Sequence, residues 1–368
     1  MRVLVTGSRG FIGKNLVVRL GELPGFEVLR FDRDDALSAL ADKVHQTDAV
    51  VHLAGENRPK DAADFARGNA ELTKYLCTAV KASSRKIPII FASSTQTGFS
   101  NPYGQSKRAA EQAVERLAID TGNPAVIYRL PNVFGKWCKP NYNSVVATFC
   151  HNIARDLPIE INDASTRLRL AYIDDVVTEF LFALESTGDG FRWGKVAVEY
   201  SITLGELAAQ IESFKNCRSN LISERVGNGL VRALYATYVS TLPPSQFAYA
   251  LTRHGDERGV FVEMLKTPDC GQFSYFTARP GVTRGEHYHH SKTEKFLVIS
   301  GHARFGFRHI ITNEAYEILT LGHIPQVVET APGWAHKITN VGAEEMVVLI
   351  WANEIFDPDR TDTIRCRV

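Results

Sequence analysis

Two groups of side chains in this sequence have the types and spacing that chemistry needs. His287 and His289 alternate within Gly281–Gly301 and would share one face of a strand, with Glu294 following after a polar break. Imidazole and carboxylate ligands this close together suit a borderline divalent metal, and His336 is a fourth candidate. Zinc is the expected ion, although iron, nickel and manganese accept the same donors. His290 has the opposite strand parity and is expected to face outward or mark the turn. The second group is Tyr103 and Lys107, spaced i, i+4 on one helical face after a serine pair that ends at Ser94. A lysine ammonium beside a phenol lowers its pKa, making it a proton donor or acceptor near neutrality, and a serine hydroxyl can bind a carbonyl oxygen.

The elements that must position these groups differ between the two halves. Val3–Val5 reads as a buried strand running into Thr6-Gly7-Ser8-Arg9-Gly10-Phe11-Ile12-Gly13, and apolar residues at helical spacing follow. Such a loop lets backbone approach a pyrophosphate: Gly7, Gly10 and Gly13 supply the room, and Phe11 and Ile12 open the helix. The strand Phe26–Phe31 ends at Asp32-Arg33. Asp32 would bond the ribose hydroxyls of NAD, whereas Arg33 and Arg9 favour a 2′-phosphate, so NADP(H) is the expected cofactor. Further buried-type strands, Asp48–Leu53 and Pro88–Ala92, run into Ala54-Gly55 and into the serine pair, with a helix around Ala70–Ala82 between them. Lys136–Ser144, including Lys139 and Asn143, suits a diphosphate and a uracil-type base, or equally an ordered exposed loop. Thr203–Ile211 and Leu221–Tyr238 are expected to be helical. Leu242-Pro243-Pro244-Ser245 breaks the pattern, and short strands with turn residues follow, as in an all-β sandwich or barrel.

The N-terminal part resembles the extended short-chain dehydrogenase/reductase family, in the branch acting on nucleotide sugars. Thr6–Gly13, His52-Leu53-Ala54-Gly55, the Ser94/Tyr103/Lys107 set, Arg129–Gly135 and Tyr172–Val176 carry the likeness. It implies a Rossmann-type doubly wound parallel sheet with a small substrate-binding subdomain, and cofactor contacts from the glycine loop and from Leu53, Ala54 and Gly55. By the same resemblance Tyr103 is the catalytic acid, Lys107 binds the nicotinamide ribose, Ser94 polarises the substrate carbonyl and Asn132 lies beside the substrate. The segment between Ser94 and Tyr103 is shorter than usual, and Arg167 and Arg169 flank the position where that family often has an arginine. The C-terminal part resembles the cupins: Gly281, His287, His289, Glu294 and Gly301 match one motif, and Pro332, Gly333, His336 and Asn340 the other. That likeness implies a jelly-roll barrel with His287, His289, Glu294 and His336 on one metal.

Together the halves, 1–243 and 244–368, resemble a family of fused reductase–cupin enzymes of capsule and O-antigen nucleotide-sugar synthesis. The resemblance implies a UDP-linked 2-acetamido-2,6-dideoxy-4-ketohexose, inverted at C3 by the cupin and then reduced at C4 with NADPH. The base at C3 is open among a hydroxide at the metal, Tyr288, Lys295 and another cupin residue. Two other readings stand beside this one: a cupin oxygenase or isomerase tethered to a reductase, and a metal that only holds the barrel or a dimer together. Lys+Arg 42 against Asp+Glu 41 leaves a net charge of +1, which argues against general attraction to nucleic acid or a membrane surface. The six scattered cysteines and the absence of a signal-peptide pattern or a membrane-length apolar run predict a cytoplasmic protein. A homodimer is the expected assembly.

Overall fold

The computed structural model describes residues 1–368 apart from Lys60, Ala62, Thr187, Asp189 and Arg360. The chain forms two compact units: Met1–Glu212 with Asn228–Leu242, and Ser213–Gly227 with Pro243–Val368.

The first unit begins with β1 (Arg2–Thr6), α1 (Phe11–Glu22), β2 (Glu27–Phe31), α2 (Leu37–Gln46) and β3 (Ala49–His52). Next come the short α3 (Ala63–Phe65), a π-helical turn at Ala66–Glu71, α4 (Leu72–Ala82), β4 (Ile89–Ser94), α5 (Pro102–Thr121) and β5 (Ala125–Leu130). β6 (Asn132–Phe134), α6 (Val145–Ile153), β7 (Arg167–Tyr172), α7 (Ile173–Glu185), β8 (Phe191–Gly194), β9 (Tyr200–Thr203), α8 (Leu204–Asn220) and α9 (Gly229–Ser240) complete the α/β elements. The main sheet has the order β2-β1-β3-β4-β5-β8 and every pairing in it is parallel. Its central strands are buried and mostly apolar because helices cover the sheet; Leu4, Val50, Ile89 and Ile127 pack with Leu76, Val80 and Val114. The chain reverses direction across the sheet between β1 and β3, so a crevice opens at the carboxyl ends of these strands. β6, β7 and β9 form a separate small sheet, the substrate-side subdomain.

One helical expectation is corrected. α8 runs on to Asn220, but Leu221 adopts φ 63°, Ile222 bridges to Lys266, and helix resumes only at Gly229. A β-branched residue and the Gly227-Asn228-Gly229 run disfavour helix across residues 222–229.

The second unit takes in the end of α8, and from Pro243 on its described residues are all-β after a single 3₁₀ turn. β10 (Arg253–Asp256), β11 (Gly259–Thr267), β12 (Gly271–Ala278), β13 (Thr283–Tyr288), β14 (Glu294–Ser300) and β15 (His302–His309) come first. β16 (Ala315–Leu321), β17 (Val327–Glu329), β18 (Trp334–Asn340), β19 (Met346–Ala352) and β20 (Ile364–Arg365) follow. Two sheets, β10-β11-β12-β19-β14-β17 and β16-β15-β18-β13-β20, enclose Phe276, Phe296, Phe305, Ile338 and Val348, which is the cupin jelly roll. Among the described residues no helix is long and apolar enough to cross a membrane.

Candidate active site and metal centre

The glycine loop is built by close approach. Gly7 adopts φ 70°, and a Cβ there would sit 2.8 Å from the Ala54 nitrogen; one on Gly13 would sit 2.2 Å from the Gly7 carbonyl oxygen. Gly7, Arg9, Gly10, Asp32, Arg33, Ala54 and Gly55 line a cleft of about 560 Å³. Phe11 and Ile12 begin α1 behind it, and the Leu53 backbone N–H donates to the Thr6 carbonyl. Asp32 is turned inward: its carboxylate accepts from the Ser8 hydroxyl at 2.5 Å and the Arg9 backbone N–H at 2.9 Å. Arg9 and Arg33 remain on the rim, 72% and 80% exposed, paired with Asp34 and Glu56.

Tyr103 and Lys107 sit in the first two turns of α5, which starts cleanly because the Asn101 side chain accepts from the Gly104 N–H at 2.7 Å and Pro102 opens the helix. The expectation that Lys107 lowers the phenol pKa is corrected. Burial pushes Tyr103 up, and a hydrogen bond with Ser94 opposes that rise. The Lys107 ammonium instead donates to the Ala92 carbonyl at 2.8 Å and lies over the Phe91 ring. Burial lowers Lys107 to about 8, with buried Glu111 acting in the opposite direction.

Sequence reading missed what ties this helix to the loop. The π-turn places Asn69 so that its side chain accepts from the Glu56 N–H at 2.9 Å and donates to Ser106 Oγ at 2.9 Å. The Ser106 hydroxyl donates in turn to the Tyr103 carbonyl at 2.8 Å. Thr73 donates to the Asn69 carbonyl, so His52 Nε2 donates to Thr73 while Nδ1 accepts from Thr6. His52 is fully buried and neutral; burial, then the Lys107 charge, lowers it to about 3. A one-residue widening of a helical turn leaves no mark in hydrophobic periodicity, so only the Gly-Asn pair at 68–69 could have hinted at it.

Of the residues expected beside the substrate, Asn132 is exposed on β6 and donates to the Arg169 carbonyl at 3.4 Å. Lys139 and Asn143 are exposed in the loop before α6, with the Lys139 ammonium 5.4 Å from the Tyr142 ring centre. Arg169 pairs with Glu199 at 2.6 Å, and Arg167 reaches Ser201.

In the cupin unit, both sheets contribute to one convergence point. His287 on β13 is the cross-strand partner of His336 on β18, and a bulge with Glu286 at φ 60° aims the end of β13 inward. Glu294 begins β14 on the facing sheet. One ligand atom from each of His287, His289, Glu294 and His336 lies within 4.8 Å of the others. Glu294 divides its carboxylate: Oε2 is 3.4 Å from Nε2 of both His289 and His336, while Oε1 receives the Lys292 ammonium at 2.9 Å. Burial lowers His287 to about 4 although the Glu294 charge acts in the opposite direction, so it is a neutral donor at pH 7. Burial pushes Glu294 up, but His289, His336 and Lys292 outweigh it and hold the carboxyl well below its usual range. His336 Nε2 is buried near that carboxylate without a hydrogen-bond partner, an expensive arrangement unless a cation takes the lone pair. Three neutral-capable imidazoles and an ionised carboxylate fit a divalent ion.

His290 is exposed and edge-on to Tyr288, outside the cluster. Lys295 is also outside the cluster, pairing with Glu329 at 2.6 Å on the exposed side of β14. Lys292 was missed because it lies in the polar break, where strand parity gives no direction.

This fold and these sites define an extended short-chain dehydrogenase/reductase joined to a cupin. Residues 3–193 match the NAD dependent epimerase/dehydratase family, and residues 254–364 match the polysaccharide biosynthesis C-terminal domain. The chain is 54% identical to a UDP-2-acetamido-2,6-beta-L-arabino-hexul-4-ose reductase of Pseudomonas aeruginosa, over 100% of this chain and 99% of the relative. It superposes on the capsular polysaccharide assembling protein CapF of Staphylococcus aureus with a TM-score of 0.92, at 40% identity and covering 100% of both chains. It is also 27% identical to a dTDP-4-dehydro-6-deoxyglucose reductase of Escherichia coli, over 57% of this chain and 80% of that one. The chain therefore belongs to the CapF family of fused nucleotide-sugar reductase/epimerase enzymes, which use NAD(P).

Proposed function

We propose that the cupin part, 244–368, epimerises C3 of a UDP-2-acetamido-2,6-dideoxy-4-ketohexose, and that the reductase part, 1–243, then reduces the C4 ketone. The product is UDP-N-acetyl-6-deoxy-L-talosamine, a cytoplasmic precursor for UDP-N-acetyl-L-fucosamine and capsule or O-antigen, made by a homodimer. The observation that carries this reading is one chain bearing both a Ser94/Tyr103 carbonyl site and a buried His₃Glu cluster. Two relatives named as reductases of nucleotide-linked 4-keto sugars support the C4 step.

Zinc held by His287, His289, Glu294 and His336 would supply Lewis-acid stabilisation to the enolate formed when the C3 proton leaves. The order of steps follows from the sugar: C3–H is acidic only while C4 is a ketone, so epimerisation precedes reduction. Glu294 is kept ionised by its neighbours, and His287 is kept neutral by burial, which are the states a ligand needs.

In the reductase part NADPH supplies the hydride. Asp32 accepts from Ser8 and the Arg9 backbone, and Arg9 and Arg33 line the same cleft, where their guanidinium groups would pair with a 2′-phosphate. The Ser94 hydroxyl binds the C4 carbonyl oxygen. Tyr103, kept protonated by burial, gives that oxygen its proton. Lys107 holds the nicotinamide ribose from its seat under Ala92. Asn132, Lys139 and Asn143 contact the nucleotide sugar. The test is to supply the UDP-4-ketosugar with and without NADPH and read the product by NMR. A talo-configured alcohol is expected; reduction without inversion at C3 would overturn the epimerase half.

A further inference from the structure

A segment outside both motifs is stitched onto the metal cluster. The Asp362 carboxylate accepts from three consecutive backbone N–H groups, His290 at 2.8 Å, Ser291 at 2.7 Å and Lys292 at 2.9 Å, and from the Ser291 hydroxyl at 2.9 Å. These residues form the whole tip of the loop between the ligands His289 and Glu294. The Asp362 backbone carbonyl, at the same time, accepts from Nδ1 of His289. Two residues on, β20 pairs with β13 in the register His287↔Arg365 and Tyr288↔Ile364, and the Cys366 N–H donates to the Glu286 carbonyl at 2.8 Å. The segment thus touches His287 through the sheet, His289 through its ring, and Glu294 through the loop and Lys292.

Resting on the metal reading above, we infer that Asp362 is a positioning residue of the metal centre. It acts at two points. Its carbonyl fixes His289 with the proton on Nδ1, so that Nε2 presents its lone pair toward Glu294 and His336. Its carboxylate gathers the loop N–H groups, whose donors would otherwise splay toward water, and so fixes Lys292 against Glu294 Oε1. Lys292 leaves Oε2 as the carboxylate oxygen aimed at the imidazoles, so the loop geometry decides which Glu294 oxygen is offered. Neither contact involves a ligand atom facing the convergence point, so substitution at Asp362 leaves all four ligands in the chain.

Zinc titration of the full chain against a chromophoric chelator, with cobalt absorption as a second readout, tests this in wild type, Asp362→Ala, Asp362→Asn and His289→Ala. Wild type is expected to take up one zinc per chain and His289→Ala to lose it. Asp362→Ala keeps the backbone carbonyl on His289 and removes only the carboxylate clasp on residues 290–292, so it should bind about 10-fold more weakly, the low end of the range for disturbing a ligand's surroundings. Asp362→Asn keeps an acceptor oxygen and should lose less, and it decides the matter if the alanine variant does not fold. The cobalt d–d bands should shift in the Asp362 variants that fold. If both bind zinc like wild type with unchanged cobalt spectra, the positioning role is wrong. An affinity loss matched by an equal loss of metal-free thermal stability, with unchanged cobalt bands, overturns it too. Wild type taking up no zinc is a different outcome: it removes the metal reading itself.

Discussion

The two sites handle buried polar groups in opposite ways. Around Tyr103, polar side chains are matched inside the protein: Lys107 to Ala92, Asn69 to Glu56 and Ser106, His52 to Thr6 and Thr73. Around His287 the partners are incomplete. Three imidazoles and a carboxylate converge, and His336 Nε2 is left without a hydrogen bond. A site that is satisfied alone can wait for an organic ligand and hold its acid in place meanwhile. A site that is unsatisfied alone is asking for an ion. The difference teaches that the two halves should fail separately when perturbed.

The largest expected separation comes from Tyr103→Phe. Losing the acid proposed at Tyr103 should slow NADPH oxidation about 10²- to 10⁴-fold. Zinc content and C3 exchange should stay at wild-type levels, and parallel loss of both activities would break the comparison. His289→Ala is the converse. C3 exchange should drop by about 10²-fold or more, as expected when several kcal/mol of Lewis-acid stabilisation is lost. NADPH oxidation on a sugar supplied already inverted at C3 should hardly change.

The pH response sharpens the contrast further. Lys107 is lowered from its ordinary value to about 8 by burial. Reduction should therefore decline above about pH 8 as the ammonium is lost, by about tenfold per unit at the limit, while C3 exchange does not follow that profile. Stability should move the other way. From about pH 8 to the ordinary lysine range the unfolded chain holds a proton that the folded chain has released, so this group makes stability rise with pH across that window. Thermal midpoints of wild type and Lys107→Met over that range check the sign; the variant should lack this contribution. The smallest effect is expected at the rim. Arg33→Ala should raise the NADPH KM about tenfold, the scale of one charge-assisted hydrogen bond, with no change for NADH.

The glycine loop, the i, i+4 pair on α5 and the His287/His289 alternation were legible because each rests on fixed spacing: a turn, a helical repeat, a strand repeat; Glu294 and His336 joined them through the likeness to the cupin motifs. The parts that were not legible depend on tertiary approach. Asn69 acts through a π-turn, and Lys292 takes its direction from Asp362, far along the chain. The phenol of Tyr103 illustrates the same limit: sequence proximity pointed to Lys107, but burial and Ser94 govern it. The break between helices at residues 221–228 was hidden because Leu221, Ile222 and Val226 continue an apolar pattern while a bridge to Lys266 takes the backbone elsewhere.

The central claim is that metal-site chemistry at C3 comes first and is independent of reduction. Deuterium wash-in tests it directly: zinc-loaded wild type and Tyr103→Phe are incubated with the UDP-4-ketosugar in D₂O without NADPH, and C3 is followed by NMR. Both proteins are expected to place deuterium at C3 at similar rates, with no alcohol formed. Absence of deuterium at C3 in the zinc-loaded wild type would contradict the account.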